Sequence, residues 1–144
     1  MKLCFAYGSN LWNEQLKERC PGHELAGKAV LQDYQWIINS RGVATVVPSQ
    51  SDYVEGVLSW LTEVDEGRLD LSEGVSKQIY RKKYLYVQFQ GHPTLALVYV
   101  AADTTKGKPR DEYIGRINKG LEDAKLSDAY VQKYIRPFVP AAKS

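Results

Sequence analysis

The sequence predicts an α+β domain in which helices pack around a highly curved, barrel-like and mostly antiparallel sheet. Three observations lead there. Residues 25–62 are rich in Val, Ile, Tyr and Trp, and Gly, Pro, Ser and Asp cut them into strand lengths whose connections are too short for helical crossovers. A second pair of strand-like runs, 78–89 and 94–102, is joined across Gly91-His92-Pro93. Around these runs the apolar spacing turns helical at 11–20, 63–72, 113–121 and 128–135.

In chain order, residues 2–6 read as a short buried strand that stops at Tyr7-Gly8-Ser9-Asn10, and a helix comes at once, capped by Asn10 or Ser9. Gly8 supplies either a backbone angle that other residues resist or room beside a ligand. Pro21-Gly22 ends the helix. Three strands are expected next, within 26–40, 42–49 and 53–61. The helix at 63–72 places Val64, Leu69 and Leu71 inward and contains the weak helix former Gly67, while Gly74 suits a left-handed C-cap. The run 94–102 is apolar almost throughout, which marks a central strand. After a polar loop at 104–109, Tyr113, Ile114, Ile117 and Leu121 share one helix face, and a last helix at 128–135 ends before Pro137 and Pro140. No repeat or linker divides the 144 residues, so one domain, 1–144, is expected.

With 44% hydrophobic and 25% charged residues the chain has the balance of a globular domain, and a net charge of +2 argues against nucleic acid or an anionic membrane as partner. Arg81-Lys82-Lys83, the only basic run, reads as a solvated sheet edge. Gly-Ser-Asn interrupts the first apolar stretch before a signal-peptide core can form, and no run reaches membrane-spanning length; a cytoplasmic protein is expected. Cys4 and Cys20 then read as reduced thiols. Cys20-Pro21-Gly22-His23 is at most half of a zinc site, and His92 lies far off in a turn, so a zinc site is not expected.

Two stretches carry the chemistry. A Gly-led turn entering a helix gathers free N–H donors that can hold a carboxylate, phosphate or oxyanion, which makes 7–10 a candidate anion site as well as a cap. In LDLSEGV, residues 69–75, Glu73 stands in the last helical turn, where the macrodipole favours a cation. An acid in that place stands out from ordinary surface glutamates. Arg41, in the turn 39–42, is a weaker candidate for pairing with a carboxylate, and Asn39 is similar. Tyr80 and Tyr84 read as ordinary sheet residues.

Taken in order, FAYGSNL, SRGVATVVP, VEGVLSWL, LDLSEGV, ALVYV and PRDEYIGRINKG resemble the γ-glutamylcyclotransferase-like family, which includes the AIG2-like proteins, over about residues 3–121. The resemblance implies that family's fold, a small α+β domain around a barrel-like sheet. It implies that Tyr7, Gly8, Ser9 and Asn10 form a substrate loop, that Glu73 is the catalytic glutamate and that Tyr113 lines the pocket. It also implies a reaction that releases 5-oxoproline from a small γ-glutamyl amide without cofactor or metal. A non-catalytic member of the same fold, binding a small amide or a protein through the same pocket, is the alternative, and a carboxylate at position 73 favours the enzyme. The leaving amine and the oligomeric state are left open by the sequence.

Overall fold

In the computed structural model, which describes residues 1–142, five strands close into a barrel. They are β1 (Lys2–Ala6), β2 (Glu24–Ile38), β3 (Ala44–Leu61), β4 (Tyr80–Phe89) and β5 (His92–Ala101), in the spatial order β1-β3-β2-β4-β5. All pairings are antiparallel except the closing one, where β1 meets β5 in parallel through Cys4 and Leu97. The barrel-like sheet expected from the sequence is thus present.

Curvature comes from β2 and β3, at 15 and 18 residues too long to lie flat in so small a sheet. Their pairing shifts register between Leu25 and Gly27 and again between Gln32 and Tyr34, where Asp33 has φ 63° and Ser51 opposite it has φ 71°. The Ser51 N–H donates to Asp33 Oδ1 at 3.1 Å and ties the irregularity together. Such bulges bend a strand and increase its twist without ending it. This corrects the expectation of separate strands at 42–49 and 53–61: β3 runs through both, and Pro48 is tolerated next to the bulge.

The β4–β5 turn is also shorter than expected. Gln90 (φ 51°) and Gly91 (φ 80°) form a two-residue turn of the kind that matches strand twist, and His92 and Pro93 already pair with Phe89 and Gln88. The apolar run in β5 has a simple cause. Ala96, Val98 and Val100 face the barrel interior, while Leu97, Tyr99 and Ala101 on its other face are covered by helices, so both faces are buried. The basic run at 81–83 lies on β4, which is paired on both sides, and Lys82 bridges to Glu66 and Asp70 (3.1 Å to the latter); it is no sheet edge.

Two packed regions result. The barrel interior is filled by Phe5, Leu31, Trp36, Ile38, Val54 and Leu58 and is closed by α3 (Asp111–Ala124), whose Ile117 and Leu121 point inward, and by α4 (Asp128–Tyr130), which continues as a π turn over Val131–Ile135. Outside β1 and β5, Cys4, Leu16, Cys20, Leu61, Leu69 and Leu97 pack under α1 (Asn13–Arg19) and α2 (Glu63–Ser72). Both cysteines are buried, Cys20 Sγ against the Asp65 carbonyl and His23 Nδ1 2.8 Å from the Cys20 carbonyl, so the Cys20-to-His23 stretch is structural. No helix among the described residues is long and apolar enough to cross a membrane.

Helix α2 begins with a capping box: the Thr62 hydroxyl accepts from the Asp65 N–H, and Asp65 accepts from the Thr62 N–H. Of its three expected inward residues only Leu69 is buried; Val64 is 68% exposed and Leu71 80%. A single side of this short helix touches the barrel, and Asp65 and Leu69, four residues apart, occupy it.

Candidate active site

Strand β1 delivers the chain to Tyr7, which is tied at both ends. Its carbonyl accepts from Trp36 Nε1 at 2.9 Å and its hydroxyl donates to the Tyr99 carbonyl at 2.5 Å. The chain then enters a 3-10 turn over Ser9–Leu11, not the first turn of a longer α-helix, and α1 starts behind Trp12. This corrects the assignment of Ser9 or Asn10 as helix cap. Their side-chain oxygens accept from Gln15 Nε2, at 2.9 Å and 3.0 Å, and the Asn13 N–H is taken by Asp123 at 2.8 Å. The turn consumes the N–H groups of Leu11 and Trp12, bonded to the Gly8 and Ser9 carbonyls, and leaves those of Gly8 and Asn10 without a partner among the described residues. The turn is therefore a donor-rich loop, though not by being a helix end.

Gly8 has φ −127°, so left-handed freedom is not the reason for glycine. The reason is proximity: a Cβ there would lie 3.1 Å from the Cβ of Ala44 and 3.2 Å from the Tyr113 hydroxyl. Tyr113 comes from the first turn of α3, and its hydroxyl accepts from the Ala44 N–H at 3.1 Å, which leaves its own proton to donate. Burial holds this phenol above its ordinary pKa, with the Ser9 N–H and hydroxyl acting in the opposite direction. Helix α3 is clamped onto the turn because Gly120 lets it approach; a Cβ at 120 would meet Leu11 and the Trp12 nitrogen at 2.8 and 3.0 Å.

Glu73 is the residue that closes α2. Its N–H reaches the Leu69 carbonyl at 2.8 Å, and Gly74 comes next in the left-handed conformation (φ 64°, ψ 40°), as its place in the sequence predicts. The reversal turns the Glu73 side chain inward, where it is only 15% exposed, and Asn10 Nδ2 donates to its Oε1 at 3.1 Å. Burial raises the pKa of this carboxyl, opposed by the charge of Arg19, 3.9 Å away, and by the Asn10 hydrogen bond. Residues 63 apart in sequence are thus in direct contact.

These groups line one cavity of about 480 Å³, ordinary for a small-molecule site. Tyr7, Gly8, Ser9, Asn10, Glu73 and Tyr113 all line it, so the six residues singled out in the sequence meet in one place. Arg41 lines it too, together with Lys77, Arg110 and Arg116, and none of these four cations is ion-paired among the described residues. Asn39 is instead fully buried, holding the Asp103 carbonyl and the N–H groups of Arg41 and Val43. Tyr80 also reaches the wall, its hydroxyl donating to the Ala44 carbonyl at 2.6 Å, whereas Tyr84 lies half-exposed beside Lys2. Sequence reasoning misses Gln15 and Arg19, which bond to Asn10. Their spacing of four, directly after the turn, puts them on one helix face and is the available signal. Among the described residues no group of three His, Cys, Asp or Glu side chains is arranged to hold a metal.

Residues 53–134 match the model of the AIG2-like family. The chain is 33% identical over 142 residues to the gamma-glutamylcyclotransferase of Bos taurus and 30% identical to that of Homo sapiens, in each case covering 91% of this chain and 76% of the relative. Among solved structures, one named gamma-glutamyl cyclotransferase superposes with a TM-score of 0.86 at 27% identity, covering 99% of this chain and 90% of the other. An AIG2-like protein from Mus musculus shares the fold at a TM-score of 0.65 and 14% identity, covering 100% of this chain and 97% of the other. By family model and by relatives, the chain belongs to the AIG2-like family, together with the gamma-glutamylcyclotransferases.

Proposed function

We propose that the protein releases 5-oxoproline and a free amine from a γ-glutamyl amide, with Glu73 as the proton carrier. The observation that carries this reading is a buried carboxylate facing, across one cavity, a turn with unused N–H donors. In such a substrate the α-amine can reach the γ-carbonyl carbon and form a five-membered lactam, so no protein nucleophile is needed. The required parts are a base, a template and an anion hole.

The α-amine is an ammonium near neutral pH and attacks only after losing a proton. A glutamate made more basic by burial is a suitable acceptor within hydrogen-bond reach. As the new C–N bond forms, the carbonyl oxygen becomes an oxyanion. The attacking nitrogen then still carries one proton too many and gives it up as the amide C–N bond breaks, so that Glu73 relays two protons in turn to the leaving nitrogen, which departs as an ammonium. Atoms and charge balance without any other reactant. Holding amine and carbonyl together can supply about 7–11 kcal/mol of the barrier, and each well-placed oxyanion donor about 3–4 kcal/mol. The N–H groups of Gly8 and Asn10 serve as such donors, to the oxyanion or to the substrate α-carboxylate, and the neutral Tyr113 hydroxyl beside Gly8 adds another.

The unpaired cations Arg41, Lys77, Arg110 and Arg116 favour a leaving amine that carries a carboxylate over one that carries further positive charge. Incubation with a panel of γ-glutamyl amino acids and γ-glutamylamines, followed by mass spectrometry of 5-oxoproline, tests both points. Release from the amino acid conjugates at the higher rate is expected. No 5-oxoproline from any member would overturn the reading, and a preference for polyamine conjugates would overturn the argument from the cations.

On the same substrate, Gly8→Ala is expected to lower kcat/KM, by less than the roughly hundredfold that a displacement of about 1 Å at a template costs. The Cβ would lie 3.1 Å from the Ala44 Cβ and 3.2 Å from the Tyr113 hydroxyl, so the turn or these two neighbours must give way. Ser9→Ala, which removes one acceptor for Gln15, should cost less. The reverse order would mean that the hydroxyl, and not the backbone, is the working group of the turn.

A further inference from the structure

The side chain of Asn10 has two ends, and only one orientation places a donor on Glu73. Its Oδ1 accepts from Arg19 Nη1 and from Gln15 Nε2, both at 3.0 Å, and its Nδ2 therefore faces Glu73 Oε1 at 3.1 Å. Turned over, the amide would set its NH2 group against a guanidinium and a second NH2 group, and its oxygen against a carboxylate. Gln15 is itself oriented, because Arg116 Nη1 donates to its Oε1 at 3.2 Å and so leaves Nε2 for Ser9 and Asn10. Gln15 is buried, and the Arg19 side chain is 25% exposed, so neither is an ordinary surface residue of α1.

We infer that Arg19 and Gln15 are positioning residues for Glu73: they lock the Asn10 amide in the one orientation that holds the carboxylate, and Arg19 sets its positive charge beside that carboxylate in its buried place. The inference rests on reading Glu73 as the proton carrier. The other titratable groups around Glu73 are Cys4 and Tyr7 from β1, Cys20 at the end of α1, Tyr80 from β4 and Tyr113 from α3. Burial pushes every one of them up, so all are neutral at working pH; Arg41, Lys77, Arg110, Glu112 and Arg116 also line the cavity, and among the described residues Arg19, at 3.9 Å, is the charged side chain at ion-pair distance from Glu73. Its removal leaves desolvation opposed only by the Asn10 hydrogen bond, which moves the Glu73 pKa further up.

The test tracks the Glu73 carboxyl and the Asn10 NH2 resonances by NMR titration of the full chain, native and with Arg19→Met, Arg19→Lys and Gln15→Leu, alongside the pH profile of kcat/KM. In Arg19→Met the Glu73 midpoint is expected to rise by about one pH unit, the smaller end of what an opposite charge within about 4–6 Å contributes. Arg19→Lys should restore much of the shift, and in Gln15→Leu the Asn10 NH2 resonances should lose their coupling to the Glu73 titration. The acidic limb of kcat/KM should move with the Glu73 midpoint. An unmoved midpoint in folded Arg19→Met overturns the inference; should that variant fail to fold, Asn10 NH2 resonances in Gln15→Leu that still follow the Glu73 titration as they do in the native protein overturn it. The two readings are separable: if the midpoint moves while the native protein releases no 5-oxoproline, the positioning role stands and the cyclotransferase reading falls.

Discussion

Glu73→Gln is expected to fold and to turn over about two to four powers of ten more slowly than the native protein, the usual range for losing a general acid or base. Gln keeps the size of the side chain and an oxygen for Asn10 Nδ2, so the hydrogen bond at 3.1 Å and the left-handed turn at Gly74 survive. What it lacks is the capacity to take a proton from the α-amine. In the proposed mechanism the substrate handles lie elsewhere, on the turn after β1, so KM should change little compared with kcat. A stability measurement on the same variant checks the environment of the carboxyl. Burial raises the Glu73 pKa above its unfolded value, so its contribution favours the fold when the group is protonated and is lost as pH rises through the folded pKa. At neutral pH the ionised group therefore costs stability that Gln does not. Tm of Glu73→Gln should be no lower than native at neutral pH, with the difference moving toward the native protein's favour as pH falls through the carboxylate range. A folded variant with native turnover would remove Glu73 from the mechanism.

Much of this site is legible in the sequence because the local signals that make it are short. Gly74 after an acidic helix end, and a strand broken by Gly-Ser-Asn, both depend on residues within one turn of one another. That these two stretches meet is implied by the family resemblance and not by spacing, since 63 residues and two long strands separate Asn10 from Glu73. The expectations that failed did so where contacts outside the local run decide the geometry. Strand β3 is continuous because Asp33, on the neighbouring strand, bonds to Ser51 and absorbs the irregularity. Ser9 and Asn10 do not cap a helix because the chain makes a 3-10 turn there and α1 starts only behind Trp12, while their oxygens accept from Gln15. Val64 and Leu71 point outward although their side chains are apolar, because α2 has a single buried side, and Leu71 instead lines the cavity. Arg19 gives no signal of its own because an arginine at a helix end is usually solvated, and its role depends on a carboxylate from another helix.

The second large effect concerns the substrate itself. In the proposed mechanism the nucleophile is the substrate α-amine, so acetylation of that nitrogen should abolish lactam formation, whereas a change of leaving amine should only adjust the rate through contacts outside the template. An amidase that used water or a protein side chain would have no such requirement, because its nucleophile would come from elsewhere. The most direct measurement is therefore a comparison of one accepted γ-glutamyl amide with its N-acetyl analogue, at equal concentration, monitoring both 5-oxoproline and the released amine. Equal amounts of the two products are expected from the free substrate and neither from the acetylated one. Release of the amine from the acetylated compound at a comparable rate would contradict it and identify the reaction as hydrolysis.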